Sequence, residues 1–312
     1  MEAYPYHAGQ QAIQQEANTG PVADRLSHWV GPVAQFAEAA DLIVLASLAT
    51  SGDLTVAALS GPPPLVSMTS GESGLTMRLP LELLHHLRSD AACGGLVINV
   101  AAARRSRVAG MLTADGVAAQ LRCSIAFTNC RKYIAPSVNV KAERVIGPAR
   151  RVSLAIEDPR LLDCLAKAEM AFLATRNPAG TPDVSHRGGP AGFLSMSPAD
   201  GTIQWTEYVG DGMFVSAGNL RACEQFTLLV PDLDSGDALE LVGRADYHTH
   251  ERWREPRSAA LLRGPDPFPK QGEVRGQVLQ AHWLNGFCGP RRRGNSVARV
   301  TSCSALEEQE PL

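Results

Sequence analysis

Leu42–Met68 reads LIVLASLATSGDLTVAALSGPPPLVSM, and Met170–Met196 reads MAFLATRNPAGTPDVSHRGGPAGFLSM. The two 27-residue segments align without a gap. Leu45/Leu173, Ala46/Ala174, Gly52/Gly180, Val56/Val184, Gly61/Gly189, Pro62/Pro190, Ser67/Ser195 and Met68/Met196 are identical pairs. Further on, Leu87-Arg88 matches Leu220-Arg221, Val97 matches Val230 and Gly110 matches Gly243. Two blocks in the same order at nearly the same offset point to an internal duplication. In each copy a short apolar strand enters a Gly-containing turn, Thr50–Asp53 or Asn177–Gly180. A second strand follows, Leu54–Leu59 or Asp183–Arg187, and ends at Gly/Pro. The spacing predicts a helix near Pro80–Ala92 or Met213–Glu224, leading into strands Gly95–Val100 and Phe226–Val230. Ser106–Leu112 and Ala238–Ala245 then alternate with period two, and Val274–Leu284 reads as a last strand. Upstream of the copies, apolar residues recur at helical spacing from Val22 to Ala40, and Asp158-Pro159 can cap a helix carrying Leu161, Leu162 and Leu165.

Closely spaced strands with short helices predict a mainly β (α+β) chain of two small antiparallel barrels rather than a βαβ sheet. No GxGxxG or GxxxxGK[ST] follows a strand, which argues against a dinucleotide fold or a P-loop. The expected layout is an N-terminal arm over 1–20, a first barrel over 21–150, a second over 151–290 and a flexible tail over 291–312.

The chain has 312 residues, 45% hydrophobic and 20% charged, enough apolar material for two cores. Lys+Arg is 29 against 32 Asp+Glu, a net charge of −3, so the surface offers no general attraction for nucleic acid or an anionic membrane. Aromatics at 5% argue further against a platform for stacked bases. The seven cysteines include no CxxC pair and no accompanying His cluster, so reduced thiols are expected rather than a zinc site or a disulfide framework. Of these, Cys288 and Cys303 are expected to be the most accessible. The polar N-terminus lacks the apolar segment of a signal peptide, and Leu42–Ala49, the longest apolar stretch, is far short of the roughly 20 residues that span a bilayer. These features predict a soluble, cytoplasmic protein.

Val184–Pro190 is the most unusual segment. Ser185, His186 and Arg187 in succession offer a hydroxyl, a switchable imidazole and a bidentate anion donor, and Gly188-Gly189 would let a flat ligand approach the backbone. The first copy has Ala57-Ala58-Leu59-Ser60-Gly61 there, so an anionic-ligand site on this strand belongs to the second copy. The alternative is a solvated strand end. In Trp205–Leu220, Ser216 and Asn219 lie three apart near a helix start, where backbone N–H groups favour phosphate; the alternative is an ordinary capped helix. His248-Thr249-His250 is compatible with a metal or with a surface strand, Arg257–Lys270 reads as a loop, Arg291-Arg292-Arg293 as a solvated patch, and Ser302–Leu312 as disordered.

The order of these motifs (strand, Gly turn, SHRGG, GFLSM, MFxSxGNL and a GDxLxxxGRA strand) resembles the pyridoxamine 5′-phosphate oxidase-like family of FMN-binding split barrels. Asn129-Cys130-Arg131-Lys132-Tyr133-Ile134 is similar to the NCxKYI segment of its larger, tandem members, and His7-Ala8-Gly9-Gln10 to their HxGE segment. The resemblance spans roughly residues 6–245 and implies two tandem six-stranded antiparallel split barrels with short flanking helices and FMN at an interface between barrels. It implies that Ser185, His186, Arg187 and Gly188 line the flavin or its phosphate, and that Ser216 offers its hydroxyl to the phosphate with Asn219 supporting that turn. Asn129, Lys132 and Tyr133 would close the site from the other side. The activity implied is an FMN-dependent oxidoreductase acting on a small molecule, with nicotinamide or oxygen as redox partner. His186 would transfer protons and Arg187 would stabilise reduced flavin. The alternatives are a non-enzymatic flavin- or haem-binding protein, or a degenerate barrel that binds another ligand; the two barrels could stand in for a dimer of single barrels in a monomer, or the chain could pair as a homodimer. Among the departures from the family, Gly212, preceded by Asp211, replaces the Arg of NRMFNS, and Gln10 replaces Glu.

Overall fold

The computed structural model describes residues 3–71, 74–253 and 266–294. The expected loop over 257–265, Cys303 and the expected tail beyond 294 lie outside the described residues. Three helices come first, α1 (Ala8–Glu16), α2 (Gly20–Ser27) and α3 (Val33–Glu38). Strands β1 (Leu42–Leu48), β2 (Leu54–Ser60), β3 (Ser67–Gly71), β4 (Gly74–Leu79), β5 (Ala91–Asn99), β6 (Arg104–Ala114) and β7 (Ala119–Asn129) build the first sheet. Three short strands follow, β8 (Ser137–Asn139), β9 (Val145–Gly147) and β10 (Arg150–Leu154), and then α4 (Pro159–Lys167). The second sheet comprises β11 (Met170–Arg176), β12 (Pro182–Gly188), β13 (Leu194–Met196), β14 (Thr202–Tyr208), β15 (Gln225–Pro231), β16 (Ala238–Thr249) and β17 (Lys270–Asn285), with α5 (Val215–Cys223) between β14 and β15. A final strand, β18 (Arg291–Arg293), pairs with β8.

All the pairings are antiparallel, and the two sheets share one strand order. The first runs β3-β4-β7-β6-β5-β1-β2 and the second β13-β14-β17-β16-β15-β11-β12. The register repeats as well: Leu42 faces Ser60 in one sheet, and Met170 faces Gly188 in the other. Each sheet has eight strands, the seven of this shared order plus β9 on β2 in the first and β10 on β17 in the second.

Alternation explains why β1 and β11 read as unbroken apolar runs. Ile43 and Leu45 face the first barrel's own core, whereas Leu42, Val44 and Ala46 enter an apolar cluster shared by both sheets. Ala171 and Leu173 face the second core, whereas Met170, Phe172 and Ala174 enter the same shared cluster. These strands are buried on both faces, which removes the polar half of the usual antiparallel pattern. The shared cluster joins the two barrels.

The matched glycines have a backbone reason. A bulge shifts the register at Ala109/Gly110 between β6 and β7, and at Val242/Gly243 between β16 and β17. A Cβ on Gly110 would strike the Arg122 carbonyl, and one on Gly243 the Gln277 carbonyl. Both sheets bend at the one residue that tolerates this approach.

Two expectations need correction here. Pro80–Ala92 is not a helix: a single 3-10 turn spans Leu81–His85, and β5 begins at Ala91. Arg291-Arg292-Arg293 is solvated only in part, since Arg292 and Arg293 are exposed and Arg291 is buried. Its first guanidinium is fully buried, 2.7 Å from Asp41, and donates to Ser137 Oγ and Asn139 Oδ1. Burial without those partners would be prohibitive for a charge.

Candidate functional site

A cleft opens between the barrels at the end of β12. The second barrel contributes Ser185, His186, Arg187 and Gly188 from β12, the segment from Thr206 to Gly212, and the first turn of α5 including Ser216. The first barrel contributes Arg105 and Arg107 from β6, and Asn129, Lys132 and Tyr133 from the end of β7 onward. Eight of the nine residues singled out in the sequence therefore line one cleft. The ninth, Asn219, does not. It is 1% exposed, its Nδ2 donates to Thr175 Oγ1 and its Oδ1 lies 2.8 Å from His7 Nε2, so it ties α5 to the N-terminal arm.

Charge is arranged in partnered and unpartnered halves. Arg187 Nε lies 2.6 Å from Glu207, which also accepts from Trp205 Nε1. Arg107 of the first barrel reaches across to Asp183 of β12 at 2.9 Å, with both side chains about nine-tenths buried. The Ser216 hydroxyl donates to Asp183 Oδ2 and lies 2.8 Å from Ser185 Oγ. Ser216 is thus turned to an internal carboxylate, which repels a phosphate at the same hydroxyl, and Arg187 is already neutralised. Arg105 and Lys132 have no carboxylate partner among the described residues. Arg105 Nε donates to the Cys130 carbonyl, and Lys132, 7% exposed, reaches only the Val209 carbonyl at 3.4 Å. In all, four cations meet three carboxylates (Asp183, Glu207 and Asp211), which leaves the Arg105–Lys132 side positive.

His186 is 6% exposed, packs edge-on to Phe172, and neither ring nitrogen has a partner among the described residues. Burial, with the Arg105 and Arg187 guanidiniums beside it, holds its pKa well below the ordinary imidazole value. The ring is neutral at pH 7. It offers hydrogen bonds or a lone pair rather than the stored proton expected of a general acid. Asn129 donates to Asp211 Oδ2, and its own Oδ1 is buried with no partner among the described residues.

Gly188 and Gly189 do not leave space for a flat ligand. A Cβ on Gly188 would strike the Tyr133 carbonyl, and one on Gly189 would come within 2.8 Å of Phe193 and Tyr208. Protein fills both positions. Gly212 has φ +85, a left-handed conformation that glycine adopts without strain. Asp211 Oδ1 accepts from the Met213 N–H and thereby closes the turn.

The positions equivalent to the cleft on the other side of the repeat are apolar and packed. Ala57, Ala58 and Leu59 stand for Ser185, His186 and Arg187, and Ala238 stands for Arg105. Phe287 and Cys288, at 0% and 2% exposure, join Ala58 and Ala238 in the shared cluster. Cys288 is therefore not an accessible thiol, and burial pushes its pKa up to about 12. His248 and His250 are exposed, and no cluster of three ligating side chains occurs among the described residues. No helix among them is long and apolar enough to cross a membrane.

Sequence reasoning missed Asp183, Glu207, Arg105 and Arg107. Arg105 and Arg107 carried a signal, since period two puts both on one face of a strand.

No protein-family model matches the chain, and no curated protein does. Among solved structures, the chain is similar to a pyridoxamine 5′-phosphate oxidase-related FMN-binding protein of Nostoc punctiforme, at 14% identity and a TM-score of 0.31 over 47% of this chain and 91% of that one. It is also similar to HutZ, a haem storage protein of Vibrio cholerae, at 16% identity and a TM-score of 0.28 over 42% and 95%. A third is a protein of Clostridium acetobutylicum related to general stress protein 26, of the pyridoxinephosphate oxidase family, at 12% identity and a TM-score of 0.28 over 45% and 93%. The solved structures similar to this chain thus include pyridoxamine 5′-phosphate oxidase-like, FMN-binding proteins.

Proposed function

We propose that the inter-barrel cleft holds FMN and that the protein is an FMN-dependent oxidoreductase acting on a small molecule, with a nicotinamide nucleotide or oxygen as redox partner. The observation that carries this reading is the pair Arg105 and Lys132, cations at a cleft wall with no carboxylate partner among the described residues. A buried cation without a counter-charge is costly, and an anionic ligand removes that cost. The unpartnered His186 nitrogens and Asn129 Oδ1 add hydrogen-bonding capacity for a polar, planar ligand. These residues fit FMN. Arg105 and Lys132 would hold its phosphate, with His186 and Asn129 against its polar edge. Bound FMN would supply reversible electron transfer.

The protein's own residues then do the following. Arg187 stays with Glu207 and gives the cleft wall a neutral, rigid pair rather than a free positive charge. His186, being neutral, accepts or donates a hydrogen bond without changing the net charge of the site. Tyr133 donates to the Val209 carbonyl at 2.9 Å and fixes the backbone of the first barrel against that of the second. The test is the visible spectrum of the purified protein before and after adding FMN and desalting. The expected result is a retained flavin band, lost in Lys132→Gln; a parent protein that retains no flavin overturns the reading.

One observation favours a second reading. A buried, neutral imidazole with both nitrogens free is in the protonation state that ligates iron. Haem binding through His186, in a non-enzymatic carrier, would give a haem-type band on titration that His186→Ala abolishes.

A further inference from the structure

We infer that the N-terminal arm, residues 7–19, is a positioning element of the cleft, with Gln10, Gln14 and Thr19 as positioning residues for its α5 wall. The wall needs holding. Phe214, immediately before α5, has φ 53 and ψ 33, and Gly212 has φ +85, so two left-handed residues lie within one short turn. That turn also supplies cleft-lining residues from Asp211 through Ser216. The Phe214 carbonyl accepts from the Gly218 N–H, and three other carbonyls of this segment are met by the arm. Thr19 Oγ1 donates to the Gly212 carbonyl at 3.0 Å, Gln14 Nε2 to the Met213 carbonyl at 2.9 Å, and Gln10 Nε2 to the Val215 carbonyl at 3.2 Å. All three side chains are buried, at 0%, 5% and 0% exposure for Thr19, Gln14 and Gln10.

The rest of the arm is built to bring those donors close. His7 caps α1, accepting from the Gly9 N–H, while the His7 N–H donates to Gln10 Oε1. Gly9 and Gly218 let α1 and α5 cross with their backbones touching, since a Cβ on Gly9 would lie 2.7 Å from the Gly218 carbonyl. Glu16 pairs with Arg221 at 2.8 Å near the far end of α5. Gln10 rather than Glu is what this geometry requires, because only the amide can both accept from His7 and donate to the Val215 carbonyl.

The functional half of this inference rests on the cleft being the ligand site. The experiment separates the two. Hydrogen exchange of the peptide covering 211–217 would be followed by mass spectrometry in Gln14→Leu, Thr19→Val and Thr19→Ser, alongside FMN affinity. Losing one donor should speed exchange of that peptide about two- to tenfold, the worth of a neutral hydrogen bond, with β11 unchanged. Thr19→Ser, which keeps its hydroxyl, should behave as the parent. FMN affinity should fall by a similar factor in Gln14→Leu and Thr19→Val only. Unchanged exchange over 211–217, or equal effects of Thr19→Ser and Thr19→Val, overturns the inference. A parent that binds no FMN while exchange responds as expected locates the failure in the FMN reading, and the positioning role stands on exchange.

Discussion

The Arg107–Asp183 pair crosses from the first barrel to the second, so breaking it reads out the junction that forms the cleft. Both side chains are about nine-tenths buried, and Asp183 also accepts from Ser216. Arg107→Met keeps an unbranched chain against Phe127, whose ring centre lies 5.7 Å from the guanidinium carbon, but leaves Asp183 with one neutral donor. Removing one partner of a buried pair costs about 3–5 kcal/mol, because the other charge remains desolvated. The surviving Ser216 contact offsets about 1 kcal/mol of that. A loss near 3 kcal/mol is therefore expected in urea unfolding. Asp183→Asn should cost a similar amount by stranding Arg107. The double variant strands neither charge, so its loss should fall short of the sum of the single losses by about 2 kcal/mol. Single variants within 0.5 kcal/mol of the parent (about the scatter of a neutral surface change), or strictly additive losses, would refute the pairing and the barrel junction drawn from it.

Three further predictions follow from other parts of the molecule. Gly243→Ala should destabilise the second barrel by about 2 kcal/mol or more, since its Cβ meets the Gln277 backbone, while Gly180→Ala, with nothing nearer than 3.7 Å but φ +85, should cost about 1 kcal/mol; thermal melts compare them. His186 has a folded pKa below its unfolded value of about 6.5, so its contribution to stability is present above that pH and is lost as the pH falls, by up to about 1.4 kcal/mol per unit. His186→Phe should flatten the stability profile below pH 6.5, with a residual slope of the same sign from His282, whose pKa is also lowered, by burial and then by Arg151; a profile identical to the parent's would show that His186 is not held neutral. Gln10→Glu should lower the melting temperature at pH 7 because it sets a buried carboxylate against the Val215 carbonyl, and a melting temperature equal to the parent's would contradict the direction assigned to that hydrogen bond.

Much of the fold was legible because it is written twice. The aligned glycines of the two copies fell at equivalent turns and bulges, and the unbroken runs at Leu42 and Met170 marked strands buried on both faces. The Pro80–Ala92 segment misled because apolar spacing alone cannot tell a five-residue 3-10 turn from a helix when a strand begins right after it. At the site, Ser185, His186 and Arg187 were visible as an unusual run, but their partners were not. Glu207 and Asp183 become partners only through tertiary placement, and they reverse the expected role of Arg187 as a free charge and of Ser216 as a phosphate hydroxyl. Asn219 and Gln10 were noticed as motif residues, yet sequence spacing could not show that they meet each other across 209 positions.

In the function proposed above, one cleft per chain, made by both barrels, holds an anionic flavin. Titration of FMN against the purified protein, followed by flavin absorbance with the stoichiometry counted after desalting, tests it most directly. One FMN per chain is expected, because the equivalent positions of the other side are filled by Ala58, Ala238 and Phe287, with retention lost in Lys132→Gln and weakened in Arg105→Gln. Two flavins per chain, or none, would contradict it.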